Sequence, residues 1–170
     1  NMQRIILHLD LDAFYAQCEE LRNPSLKGKA VVVCVYSGRT PDSGAVGTAN
    51  YEARKLGIHS GMPIAFAKKK AKPETIFLPV DIPYYKSISE RIMEIAKSNS
   101  GKTETAGLDE AYLDASAIVK TFEGAEQLAK KLKKEILEQE GLTCSIGIGQ
   151  NKLIAKMASD FRKPDGLTVV

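Results

Sequence analysis

Two acidic stretches, nearly a hundred positions apart, hold the residues with the clearest chemistry. Asp10-Leu11-Asp12 closes an apolar run that includes Ile5-Ile6-Leu7, and Asp109-Glu110 precedes Ala111-Tyr112-Leu113-Asp114. Each reads as acid at the tip or edge of a short buried strand. Two carboxylates about 4 Å apart repel by roughly 4 kcal/mol at an effective dielectric near 20. A fold that gathers three of them needs a compensating charge, and paired divalent metals are the usual device for phosphoryl transfer. If the stretches converge, the chemistry is metal-dependent nucleotidyl transfer. Asp10 and Asp12 are two apart and would face one side of a strand. Asp109 and Glu110 are adjacent and would diverge unless a turn intervenes. Such acids also serve as turn residues and helix caps, and spacing alone does not choose.

The elements that must position these acids are legible in outline. Arg4–Asp10 predicts a strand, and Phe14–Leu21 a helix stopped by Asn23-Pro24. Ala30–Tyr36 is a β-branched run that predicts a strand buried on both faces. Ser37–Gly47 reads as a loop or hairpin. Asn50 caps a short helix ending at Gly57, and Pro63 opens another through Lys72. Ile76–Pro79 is a short strand, and Ile82–Ser98 an amphipathic helix. Thr103–Asp114 predicts two short strands meeting at the turn from Gly107 to Glu110. Ala125, Leu128, Ala129, Leu132, Ile136 and Leu137 mark a further helix. Thr143–Ile148 is a strand, Asn151–Phe161 a capped helix, and Leu167–Val170 a last strand.

This order predicts an α+β fold: a mixed sheet with helices on one face, close to a ferredoxin-like palm. Residues 1–13 and 81–170 would form the palm, and 14–80 a small inserted lobe. The chain has 170 residues and a net charge of +3, which permits a polyanionic partner. Cys18, Cys34 and Cys144 are widely spaced, which argues against a disulfide framework or metal–sulfur site and fits a reducing cytosol. No stretch approaches the roughly 20 apolar residues of a membrane span, and no signal peptide is read ahead of the first strand. Asn1 ahead of Met2 reads as an added residue. Lys68, Lys69, Lys70 and Lys72, and Lys130, Lys131, Lys133 and Lys134, form basic patches that read as solvated faces. His8 and His59 have no partner pattern and are given no role.

Four motifs in order carry a family resemblance across the full length. Asp10-Leu11-Asp12-Ala13-Phe14-Tyr15-Ala16 resembles the opening of Y-family DNA polymerases, the translesion class. Leu108-Asp109-Glu110-Ala111-Tyr112-Leu113-Asp114 is similar to that family's acidic palm element. Ser43 to Lys55, including Gly44-Ala45-Val46-Gly47-Thr48-Ala49-Asn50-Tyr51, is similar to its fingers segment. Ser145-Ile146-Gly147-Ile148-Gly149, Asn151-Lys152-Leu153 and Lys163-Pro164-Asp165-Gly166 match near the end. The likeness is to the DNA polymerase IV-like archaeal branch. Gly107 stands where the family usually has Ser, and Gly47 where it usually has Ala.

The resemblance implies a DNA-directed DNA polymerase acting by two-metal phosphoryl transfer, with low fidelity and tolerance of lesions. It implies two magnesium ions held by Asp10, Asp109 and Glu110, with the Leu11 carbonyl as a further ligand. Asp12 is expected to be structural. The resemblance makes Tyr15 a steric gate against the 2′-hydroxyl, beside Phe14. It makes Thr48, Tyr51, Arg54 and Lys163 a triphosphate clamp, and Gly44, Ala45 and Gly47 a small roof over the new base pair. Tyr51 and Arg54, three apart, would share a helix face. Primer–template DNA and deoxynucleoside triphosphates are the implied partners, in the cytoplasm, with a monomer expected. Whether the longer protein pairs with a sliding clamp is left open. The thumb and little-finger domains of the family are expected to be missing, leaving a fingers–palm core of weak or no activity alone. The alternatives are a palm-domain nucleotide cyclase and a catalytically silent palm scaffold.

Overall fold

The structure, a computed structural model, describes residues 3–170, so the reading of Asn1 and Met2 lies outside it. In chain order the elements are β1 (Ile6–Leu11), α1 (Phe14–Arg22), a short 3-10 turn (Pro24–Leu26), β2 (Val31–Tyr36), β3 (Gly44–Ala49), α2 (Tyr51–Arg54), α3 (Ile64–Lys70), β4 (Ile76–Pro79), α4 (Ile82–Ser100), β5 (Thr103–Ala106), β6 (Glu110–Asp114), α5 (Phe122–Glu140), β7 (Cys144–Gly149), α6 (Lys152–Asp160) and β8 (Leu167–Val169). They form two compact units, each with its own sheet: the residues up to Asp12 together with Lys86–Val170, and Ala13–Tyr85. The expected α+β class holds. Among the described residues, no helix is long and apolar enough to cross a membrane.

In the first unit β1 lies at the centre of a five-stranded sheet ordered β5-β6-β1-β7-β8. It pairs antiparallel with β6 and β7, and β7 pairs parallel with β8. The pleat separates its residues. Leu7 stands beside Leu113 and Ile148, and Leu9 beside Ala111 and Ile146, all buried. Burying each Leu or Ile of this layer contributes roughly 1.5–3 kcal/mol. His8 and Asp10 point to the opposite face, where Gly147 is the neighbour of His8 on β7. A Cβ at Gly147 would lie 2.1 Å from the Ala155 carbonyl oxygen and 2.2 Å from the Ser159 amide nitrogen. Gly147 therefore lets α6 lie directly on this face. The Leu7 face is left to α5, which packs on β7 and β8, and to the α4 residues beside it. Arg91–Glu140 at 2.5 Å and Asn99–Glu135 at 3.0 Å join those two helices. The core stripe of α5 is Ala125, Ala129, Leu132 and Ile136. Leu137, expected on that stripe, is 51% exposed, because it lies about 100° round the helix from Ile136.

The second unit has a three-stranded sheet ordered β3-β2-β4. β2 is antiparallel to β3, with an irregularity between Val33 and Cys34, and parallel to β4. Val31–Cys34 are fully buried, as the β-branched run implies, whereas Val35 and Tyr36 are exposed. Of the loop or hairpin expected over 37–47, the structure forms the hairpin: β3 begins at Gly44, antiparallel to β2, where a Cβ would lie 2.1 Å from the Val35 carbonyl oxygen. The glycine allows that close strand approach, so a loop-like composition conceals a strand. Asn50 organises the next corner. Its side-chain oxygen accepts from the amides of Ala53 and Val31, and its amide donates to the Lys29 carbonyl. Buried Val32, Val46, Ala53, Ile58, Ile64 and Ala67 make this unit's core.

Candidate active site

Pairing of β1 with β6 sets Asp10 directly opposite Glu110. The Leu11 amide donates to the Asp109 carbonyl at 2.8 Å, which carries the pairing one residue into the β5–β6 turn. Gly107 lies in that turn at φ 67°, a conformation that costs a glycine little. Directly opposed carboxylates destabilise a strand pair, and burial adds to that cost. Burial pushes the Asp109 carboxyl up to about 6, and Asp10 and Glu110 push it the same way. Burial also raises Asp10, against the hydrogen bond and charge of Lys163.

Three basic groups surround this acid cluster. Lys163 donates to Asp10, and to Asp160 at 2.7 Å. Burial works against its charge, but the two carboxylates outweigh that and hold the ammonium above the ordinary lysine range. Lys156, from α6, stands 3.3 Å from Glu110. The third is His8, which sequence reasoning gave no role. That reading is overturned. His8 is fully buried, its Nε2 lies 3.0 Å from Glu110 Oε1, and its Nδ1 lies 2.7 Å from Ser159 Oγ. Burial lowers its pKa, although Glu110 and Asp10 pull it upward. The signal was present: His8 is two residues before Asp10, so a strand places both on one face.

Ligand atoms of His8, Asp10 and Glu110 all lie within 4.8 Å of one another. Because both nitrogens of His8 are engaged, the donors this cluster offers to a cation are carboxylate oxygens. Oxygen donors and crowded negative charge fit a hard divalent ion such as magnesium. Asp12 is occupied differently. It is 3% exposed and accepts from the hydroxyls of Thr143 and Ser145, each at 2.7 Å, and from the Asp165 amide at 2.8 Å. It ties the end of β1 to β7 and to the turn after Lys163, as a structural acid does.

The remaining candidate residues belong to the second unit. Phe14 is buried at the start of α1. Tyr15 stacks on Tyr85, with ring centroids 4.5 Å apart at 17°. A Cβ at Gly47 would lie 3.7 Å from the Tyr15 ring and 3.3 Å from the Val33 carbonyl oxygen. Gly44, Ala45 and Thr48 lie on β3, Thr48 opposite Val33. Tyr51 and Arg54 do share a face of α2. The guanidinium carbon of Arg54 sits 4.5 Å from the Tyr51 ring centre, and its Nε donates to the Ala49 carbonyl at 2.8 Å.

Comparison with known proteins gives this arrangement its place. Residues 9–160 match the family model described as IMS, the impB/mucB/samB family. The chain belongs to that family. Its expected Y-family kinship is thereby met. Similar curated relatives are DNA polymerase IV of Metallosphaera sedula, 55% identical, and DNA polymerase IV of Nitrosopumilus maritimus, 54% identical. Each match covers 98% of this chain and 47% of the relative, so the chain spans about half the length of the curated relatives it matches. Among solved structures, a Y-family DNA polymerase chimera of Dbh and Dpo4 is 50% identical with a TM-score of 0.94, covering 98% of this chain and 48% of that one. DinB from Sulfolobus solfataricus is 48% identical with a TM-score of 0.91, covering 98% of this chain and 48% of that one. No comparison supports a nucleotide cyclase or a silent scaffold.

Proposed function

We propose that this chain is the catalytic portion of a translesion DNA polymerase, adding deoxynucleotides to a primer 3′-hydroxyl under template direction. The observation that carries this reading is the strand pairing that sets Asp10 opposite Glu110 with Asp109 in the adjoining turn. Family membership supports it, as does similarity to the solved insertion ternary complex of Dbh DNA polymerase.

Asp10, Asp109 and Glu110 would hold two magnesium ions, with the Leu11 carbonyl as a further ligand. Bound magnesium would supply activation of the primer hydroxyl and neutralise charge on the departing diphosphate. The protein's own groups do the rest. His8 fixes the orientation of Glu110 through its hydrogen bond. Lys163, now engaged with Asp10 and Asp160, is a ready donor to a triphosphate oxygen. In the second unit, Tyr51 and Arg54 would bind triphosphate oxygens, Arg54 through its planar fork, with the Thr48 hydroxyl beside them. Tyr15, braced by Tyr85 with Phe14 adjacent, would exclude a 2′-hydroxyl. Gly44, Ala45 and Gly47 would form the small roof. On this reading 1–13 and 81–170 act as palm and 14–80 as fingers.

The test is single-nucleotide addition to a fluorescent primer–template, with magnesium or with EDTA. At high enzyme concentration, weak magnesium-dependent addition, lost on Asp10→Asn or Glu110→Gln while folding is kept, is expected. Addition that survives EDTA or both substitutions would sink the reading.

A further inference from the structure

One hydroxyl breaks the apolar stripe of α4. Ile92, Met93 and Ala96 are buried, and Ser89 shares their face at helical spacing, 4% exposed. A serine inside a helix ordinarily turns its hydroxyl back onto its own helix, as Ser98 does onto the Glu94 carbonyl at 2.8 Å. Ser89 donates elsewhere. Its Oγ reaches the Leu108 carbonyl at 2.5 Å, 19 positions along the chain. A hydroxyl has one hydrogen to give, and α4 gives this one to the turn between β5 and β6.

The recipient carbonyl is next to Asp109. Ala106 pairs with Glu110, which leaves Gly107, Leu108 and Asp109 as the turn. The Cα of Asp109 stands between two peptide groups. The one after it is held from β1, by the Leu11 amide on the Asp109 carbonyl at 2.8 Å. The one before it carries the Leu108 carbonyl and is held from α4, by Ser89. The backbone has only two soft dihedrals per residue, so fixing both flanking peptide planes fixes the direction of the Asp109 side chain. Packing gives the turn little support on the α4 side. A hollow of about 240 Å³ lies there, and Lys86, Ser89, Met93, Thr105, Gly107 and Leu108 are among the residues that line it. Gly107, at φ 67°, has the conformational freedom to let an untethered turn swing into that space.

We propose that Ser89 is a positioning residue for nucleotidyl transfer. By holding the Leu108–Asp109 peptide, its hydroxyl aims the Asp109 carboxylate at the cation it would share with Asp10. This rests on the polymerase reading and adds to it a residue outside the acid cluster, on a different element. The net worth of one neutral hydrogen bond corresponds to roughly threefold to tenfold in an equilibrium, and that is the size of effect expected on metal affinity.

The experiment titrates the 170-residue chain with manganese alone, a divalent ion that suits carboxylate oxygens as magnesium does, and reads the free ion by electron paramagnetic resonance. Ser89→Ala should raise the half-saturating concentration about threefold to tenfold, and Ser89→Thr, which keeps the hydroxyl, should bring it back to within about twofold. Ile136→Val, a comparable loss of stability in the core of the same unit, should leave it unchanged. Placed on Asp109→Asn, Ser89→Ala should weaken binding no further, because the carboxylate it aims is gone. In single-nucleotide addition, Ser89→Ala should shift the magnesium dependence of the rate and leave the KM for the deoxynucleotide at its wild-type value. Wild-type affinity in Ser89→Ala, or an equal weakening with and without Asp109→Asn, overturns the proposal. The Asp10→Asn chain separates the two failures. Affinity lost there but kept in Ser89→Ala sinks the role of Ser89 alone, whereas a wild type indifferent to Asp10→Asn sinks the metal reading and this proposal with it.

Discussion

At the residue scale the acidic cluster is a place where the metal-free fold opposes itself. The ordinary pKa of Asp109 is 3.8 and the fold raises it to about 6, by burial first and then by Asp10 and Glu110. A carboxyl whose folded pKa is raised carries no penalty below its unfolded value. It destabilises the fold increasingly as pH rises from about 4 to 6, and fully above that. Asp109→Asn should therefore stabilise the protein in EDTA at pH 7.5, by about 1 kcal/mol after allowance for the solvent that still reaches the side chain. Urea denaturation at a series of pH values checks this. The gain should vanish near pH 4, and with saturating magnesium the order should reverse, because the variant has lost a ligand. A variant less stable than wild type in EDTA at pH 7.5 would mean that Asp109 is already well compensated. His8 belongs to the same balance. Its imidazole gives Glu110 a buried partner and spends its second nitrogen on Ser159, leaving oxygens to face the cluster.

At the element scale, α6 is placed by the absence of a side chain. Gly147 sits where a Cβ would meet the Ala155 carbonyl and the Ser159 amide at about 2 Å, contacts that backbone cannot relieve without moving the helix. Gly147→Ala should cost about 2–3 kcal/mol in urea denaturation, at the upper end of ordinary overpacking. Moving α6 also moves Ser159 and Lys156 away from His8 and Glu110, so magnesium affinity should fall in parallel. Stability within 0.5 kcal/mol of wild type, an allowance typical of surface substitutions, would show that α6 can shift freely. The legibility of the sequence follows the same lines. Leu7 and Leu9, the acids at the ends of strands and the caps Asn50 and Asn151 announced themselves because period, charge and capping chemistry are local. β3 was legible only as one arm of a possible hairpin, because glycine reads as loop wherever it also serves close strand approach, as at Gly44. His8 was missed although its position two before Asp10 gave its face, because its partner Glu110 lies 102 positions away. Lys163 was expected to face a triphosphate, and nothing local forecast that it would meet Asp10 across 153 positions.

At the scale of the whole molecule, two units with separate sheets make ligand linkage spatially informative. A ligand that binds the folded state alone stabilises it by RT ln(1 + [L]/Kd), about 2.7 kcal/mol at a hundredfold excess over Kd. If magnesium is held by Asp10, Asp109 and Glu110, that gain must appear first in the elements carrying them. Hydrogen exchange at pH 7.5, with and without excess magnesium and no nucleotide, should show slower exchange in β1, β6 and the turn between β5 and β6. The amide of Leu11, bonded to the Asp109 carbonyl, is the most direct reporter, since a loosened turn releases it. Amides of β2 and β3 in the second unit should exchange at unchanged rates, because those strands carry no candidate metal ligand. Below pH 5 the effect should fade as Asp109 protonates and the cluster loses charge. Equal protection of both units at pH 7.5 would mean that magnesium acts as a general counter-ion for the folded chain, and the acid cluster would then lose its claim to be the metal site.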